Sequence, residues 1–302
     1  IIGKNEFEAH IKYIKDKKTF KMEELKSLNY HLPKNSILVT FDDGYKNNYT
    51  NAFPILKKYN VKATIFLNTK YIEKDESYLN WDEIKEMYKS GLIDFQMHTH
   101  SHSPTIRKPE IKGFFLKDEG EFVNREYFTI FSGNTKEKDF RKFDFTGLPV
   151  FKIRSQISIK GYKLKENFLY EYKELIKKNE FKNLSTLNQK KYLNHELKKN
   201  CKKYFEKVTD EEFKEKLIFE ITENKKIIEE KLNKKAEYLA YPWGHKYTGK
   251  IKDIENLGVK GIVLTTGGTN NRKIKLKKIL RVNGDRIKDY KIFLKELKKF
   301  IK

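Results

Sequence analysis

The chain has 302 residues, of which 38% are hydrophobic and 14% aromatic, so a sizeable core is within reach. No apolar run approaches the roughly 20 residues that span a bilayer, and no transmembrane segment is expected. The formal charge of +23 admits a polyanionic partner, but only seven of the 65 basic residues are Arg and the lysines are spread almost evenly. Base readout and phosphate forks favour Arg, so no nucleic acid is expected, and the charge reads as a lysine-rich bias with electrostatic steering as a by-product.

In chain order, Phe7, Ile11 and Ile14 fall at helical spacing over residues 4–18. Residues 36–41 read as a buried strand, and 49–59 as a helix with Pro54 in its first turn. Val61 to Leu67 is β-branched and aromatic, a second strand. Trp81 to Tyr88 reads as a helix stopped at Ser90-Gly91, and Leu92 to Met97 as a third strand. Such alternation implies a parallel sheet or barrel.

The pattern breaks at Ser103. From there to about Phe168 the chain is rich in Phe, Tyr, Lys and Gly without clear periodicity, and residues 168–180, 186–207 and 210–233 then read as helices. Phe114, Phe115, Tyr127, Phe128, Phe143, Phe145 and Phe151 read as a local core, with a ligand-stacking surface as the alternative. Alternation resumes with a strand at Glu237–Tyr241, a helix at 248–257, strands at Val259–Leu264 and Ile279–Val282, and a closing helix at 288–301. The expected layout is one barrel-like domain over 1–302, interrupted by an insertion at about 103–208 after the third strand. The chain opens at Ile1 rather than Met, which reads as a fragment or a processed product. A single cysteine, Cys201, excludes an intramolecular disulfide and reads as structural.

Two features carry chemistry. Asp42-Asp43-Gly44 closes the first strand, and His98-Thr99-His100-Ser101-His102 closes the third. Successive strand side chains point to opposite faces, so adjacent carboxylates converge only where the backbone turns. Three of the seven histidines fall within five positions. On a helical turn His98 and His102 would share a face; on an extended segment all three would. A carboxylate and two imidazoles form a common set of ligands for a catalytic divalent metal, leaving the other carboxylate as a base.

Three segments resemble the polysaccharide deacetylases of carbohydrate esterase family 4, the NodB-homology domain, and among them the poly-N-acetylglucosamine deacetylases. They are Thr40-Phe41-Asp42-Asp43-Gly44, His98-Thr99-x-x-His102 and Ala240-Tyr241-Pro242-Trp243-Gly244. The likeness covers roughly residues 4–102 and 209–300. It implies an α/β fold, a distorted (β/α) barrel, that hydrolyses N-acetyl groups of an amino-sugar polysaccharide or glycoconjugate. It further implies Asp42 as general base and Asp43, His98 and His102 as ligands of one divalent ion, Zn²⁺. Tyr241, Pro242, Trp243 and Arg281 become the candidates for oxyanion and substrate contacts, with the Trp243 N–H as oxyanion donor. An acetylated glycan partner and a cell-envelope or extracellular location also follow from the resemblance. Two positions depart from the family pattern. Ala240 stands where an Arg usually braces the base, with Arg281 the candidate replacement. Val263 to Gly268 lacks the late His, which leaves protonation of the leaving amine unassigned, with His245 near in sequence. These losses also motivate an alternative, a glycan-binding protein on the same fold.

Overall fold

The computed structural model describes residues 2–115, 121–284 and 295. The expected helix at 288–301 therefore lies outside the described residues, apart from Lys295. The chain divides into two compact units, one formed by Ile1–Ser101 with Ile218–Lys302 and the other by His102–Leu217.

The first unit opens with the helix Lys4–Ile14, which ends four residues short of the expected span. Strand β1 covers Val39–Phe41, β2 Ala63–Leu67 and β3 Ile93–Met97. All five positions of β2 and of β3 are buried, as fits parallel strands covered on both faces. The helix Phe53–Tyr59 follows a π-helical turn at Asn48–Ala52 and ends on Asn60 in the left-handed region (φ 52°). The helix Trp81–Lys89 starts on a reciprocal cap: Asn80 accepts from the Glu83 N–H at 2.9 Å, and Glu83 accepts from the Asn80 N–H at 3.0 Å.

The second unit contains β4 (Pro104–Phe114), β5 (Pro149–Ser155), β6 (Tyr162–Leu164) and β7 (Phe205–Lys207), antiparallel in the order β5-β4-β6-β7. Residues 103–168, which showed no period, thus hold three strands and the helix Glu121–Phe131. The expected continuous helix over 186–207 is corrected: it runs Thr186–Lys199, breaks at Asn200, turns once at Cys201–Tyr204 and passes into β7. Phe205 is buried in an aromatic core there, a tertiary contact that outweighs helix propensity. Of the seven aromatics noted in the sequence, Phe115, Tyr127, Phe145 and Phe151 are buried in this core, and Phe114, Phe128 and Phe143 pack against it partly buried.

The chain returns to the first unit within the long helix Asp210–Leu232. It adds β8 (Tyr238–Ala240), β9 (Gly261–Gly267) and β10 (Ile279–Arg281) to a six-stranded parallel sheet ordered β1-β2-β3-β8-β9-β10. Laid flat at about 4.8 Å per strand, the two edges would stand about 24 Å apart. Instead Arg281 of β10 hydrogen-bonds Asp42 at the end of β1, so the sheet curls into a half-barrel. Phe66, Tyr238, Ala240, Val263 and Ile279 fill its interior, with Met22 and Leu25 packed against them.

Candidate metal centre

The site is built where the parallel strands end at their C-terminal edge. Immediately after β1, Asp43 takes a left-handed backbone (φ 74°), and Gly44 follows at 80°. This reverses the alternation that would send the two carboxylates to opposite faces. The sequence argument assigned that turn to Gly44; Asp43 shares it. Gly44 has no room for a side chain, since a Cβ there would lie 2.6 Å from Leu67.

Left-handed backbone at residues other than Gly is uncommon, and it concentrates here: Asp43, Thr99, His102 and Trp243 all carry it. Such conformations persist only where surrounding contacts over-determine them.

Asp94, Gln96 and His98 alternate along the same face of β3 and its extension. The His98 ring is 2% exposed, and its Nδ1 lies 2.9 Å from the Ala240 carbonyl. A carbonyl only accepts, so Nδ1 carries the proton and Nε2 presents its lone pair. That Nε2 lies 3.5 Å from Asp43 Oδ1, and Asn68 donates to the same oxygen at 3.3 Å. His102, 6% exposed, has Nδ1 3.0 Å from Glu126 Oε1. Donation to that carboxylate likewise leaves Nε2 as the ligand atom. Glu126 sits on Glu121–Phe131, a stretch whose sequence carried no signal of its role; only the fold brings it to His102.

Asp43, His98 and His102 each offer one ligand atom, and these atoms lie within 4.8 Å of one another. Zn–N and Zn–O bonds of about 2.0–2.2 Å at tetrahedral angles place ligand atoms about 3.3–3.6 Å apart, and the 3.5 Å Asp43–His98 separation fits that range. The donors suit a borderline divalent ion, both imidazoles are orientated by an acceptor on the far nitrogen, and three protein ligands leave a coordination position open. The set fits the expected metal.

His100 stands apart from this trio. Its Nδ1 contacts Thr69 Oγ1 at 3.0 Å and its ring meets Phe219 edge to face at 5.5 Å. Burial lowers its pKa.

Asp42 lies beside the trio in sequence and is held by a fork. Arg281 Nη1 donates to Oδ1 at 2.7 Å and Nη2 to Oδ2 at 2.8 Å, while Nε donates to the Leu264 carbonyl at 2.7 Å. A register shift between Ile279 and Arg281 separates this residue from the regular β9–β10 ladder. The fork engages one lone pair on each of the two Asp42 oxygens.

Pro242, Trp243 and Gly244 form a single turn directly after Tyr241. Trp243 is left-handed (φ 53°) and half-buried, with the His245 ring tilted against it at 5.7 Å. Tyr241 is 3% exposed, and burial pushes its phenol up to about 12. Gly244 (φ 68°) packs so closely that a Cβ would meet Thr265 Oγ1 at 1.8 Å.

The family model described as polysaccharide deacetylase matches residues 29–122. Over 109 residues the chain is 39% identical to the poly-beta-1,6-N-acetyl-D-glucosamine N-deacetylase of Staphylococcus aureus (strain MSSA476). The match takes in 33% of this chain and 37% of that relative, so the likeness spans little more than a third of its length. Among solved structures, the chain is similar to a de-N-acetylase from Aggregatibacter actinomycetemcomitans (TM-score 0.62, 15% identity, 97% of this chain and 88% of the other). It is also similar to the BpsB deacetylase domain from Bordetella bronchiseptica (TM-score 0.57, 16% identity, 90% and 81%). A third likeness is to IcaB from Ammonifex degensii (TM-score 0.54, 16% identity, 93% and 84%). At these identities the structural likenesses establish a shared α/β fold, in line with the distorted (β/α) barrel that the resemblance implies and here a curled half-barrel.

Proposed function

We propose that this chain, whose residues 29–122 and fold are those of the polysaccharide deacetylases, is a metal-dependent hydrolase that removes N-acetyl groups from an amino-sugar polysaccharide. The observation that carries the proposal is the convergence of Asp43, His98 and His102 at the end of a sheet whose edge residue, Asp42, is held by Arg281. The S. aureus relative, by its name a poly-N-acetylglucosamine deacetylase, supports a β-linked N-acetylglucosamine polymer as the substrate class.

Asp43, His98 and His102 would hold the ion. When bound, a divalent ion acidifies water from ~15.7 towards ~7 and polarises a carbonyl. Asp42 accepts the proton of the attacking water, and Arg281 fixes the carboxylate plane. The Trp243 N–H, carried on its left-handed turn, donates to the oxyanion that develops at the acetyl carbon. Half-buried Trp243 and buried Pro242 form a wall beside the acetyl group. The C–N bond then breaks, the leaving nitrogen takes up the proton drawn from the water, acetate departs and the sugar keeps a free amine. Among the described residues no helix is long and apolar enough to cross a membrane; an envelope or extracellular location belongs to the same proposal, because such polymers are found there.

The test combines elemental analysis with acetate release from N-acetylglucosamine oligomers. One equivalent of metal, activity lost on chelation and regained with Zn²⁺, and a metal-loaded but inactive Asp42→Asn variant are expected. Acetate release that survives Asp42→Asn would remove the assigned base. Metal binding without turnover on any acetylated glycan would leave a binding protein instead.

A further inference from the structure

The histidine loop holds left-handed backbone at Thr99 and His102, so something must over-determine it. Its backbone donors converge on one element. The His98 N–H is shared between the Leu67 carbonyl at 2.9 Å and Asn224 Oδ1 at 3.1 Å. The His100 N–H donates to the Glu220 carbonyl at 2.9 Å. The Ser101 N–H donates to Glu220 Oε2 at 2.8 Å, and the Ser101 hydroxyl donates to Oε1. Asn224 also donates to the Leu67 carbonyl at 2.9 Å and to Thr69 Oγ1 at 3.0 Å, tying the end of β2 to the same point.

Glu220 and Asn224 are four residues apart on the helix Asp210–Leu232, hence on one face, and are 3% and 0% exposed. A carboxylate buried to that degree is costly unless its oxygens are satisfied, and here Ser101 supplies donors to both. The chemistry proposed above makes no use of either side chain. Their common effect is to fix the path of the chain from His98 to Ser101, which sets where His98 and His102, the residue directly after Ser101, present their rings.

We propose that Glu220 and Asn224 are positioning residues that hold the histidine loop in its ligating shape before any ion arrives. This inference rests on the metal site proposed above. Partners that orientate ligands contribute about 10–100-fold to metal affinity, and that is the range expected here.

The experiment measures Zn²⁺ affinity of the whole chain by competition with a chromophoric chelator, alongside circular dichroism and thermal unfolding. The wild type should bind one Zn²⁺. Glu220→Ala should bind about 10–100-fold more weakly while keeping the wild-type spectrum. Glu220→Gln, whose amide oxygen still accepts from the Ser101 N–H, should recover most of the affinity. A merely structural Glu220 would lower the unfolding temperature of Glu220→Ala and leave the affinity of the folded protein unchanged, and that result overturns the inference. Should Glu220→Ala fail to fold, Ser101→Ala removes the hydroxyl contact alone and should still weaken affinity several-fold; unchanged affinity in Ser101→Ala overturns it equally. A wild type that binds no Zn²⁺ sinks the metal site itself, an outcome distinct from wild-type-like affinity in the variants.

Discussion

Replacing Arg281 separates two effects that its fork combines, holding a catalytic carboxylate and joining the two edges of the sheet. Arg281→Lys keeps the charge but cannot reproduce two parallel bonds to Asp42 and a third to the Leu264 carbonyl. Charge-assisted hydrogen bonds contribute about 1.5–3 kcal/mol each when both groups are desolvated. The Asp42 side chain is 26% exposed and that of Arg281 12%, so water replaces part of what is lost. Discounting for that exposure, Arg281→Ala should cost about 2–3 kcal/mol of stability and Arg281→Lys about half as much. The pairwise part should appear as a coupling energy of about 1–2 kcal/mol between Arg281→Ala and Asp42→Ala in urea unfolding. On the activity side, an unbraced Asp42 should lower kcat about 10–100-fold in Arg281→Lys with KM little changed, since the guanidinium acts through the base and not on the substrate. Additive single variants, or a Lys variant with wild-type kcat, would refute the assignment of Arg281 to Asp42.

Three further outcomes follow from other contacts. Glu126→Ala removes the acceptor behind His102 Nδ1 and should weaken Zn²⁺ binding about 10–100-fold with the fold retained, whereas Glu126→Gln should weaken it less; chelator competition measures both. Gly244→Ala forces a side chain into a left-handed site against Thr265 and should cost about 2–4 kcal/mol, read from the midpoint of chemical unfolding. Asp94, fully buried at the opposite end of the sheet among Lys234, Glu23, Gln96 and Thr64, is pushed up to about 6 by that burial, with Lys234 pulling the other way. Its folded value exceeds its unfolded one of about 3.9, so the folded chain binds the extra proton between the two. Its contribution is therefore full below pH ~4, falls as pH rises to about 6, and is flat above. The stability of the wild type relative to Asp94→Asn should decline across that window; a pH-independent difference would show that Asp94 does not titrate there.

The strands at Ala63–Leu67 and Ile93–Met97, the helix that begins at Trp81 and the Phe-rich core of the second unit were legible because each follows from local composition and period. So was the clustering of carboxylates and imidazoles at strand ends, since a strand ends where its apolar run ends. Strand β7 was not legible, because Phe205 leaves a helical stretch only for a core built by distant residues. Tertiary structure alone decided which histidine of three is set aside, which acceptor orientates each ring and which arginine reaches Asp42. Those choices depend on Ala240, Glu126, Glu220, Asn224 and Arg281, residues between 24 and 239 positions from the groups they contact. Local periodicity carries no information over such separations. A sequence names the side chains able to ligate and to accept protons, but only the closing of a curled sheet and the packing of helices against it bring their partners within 3 Å.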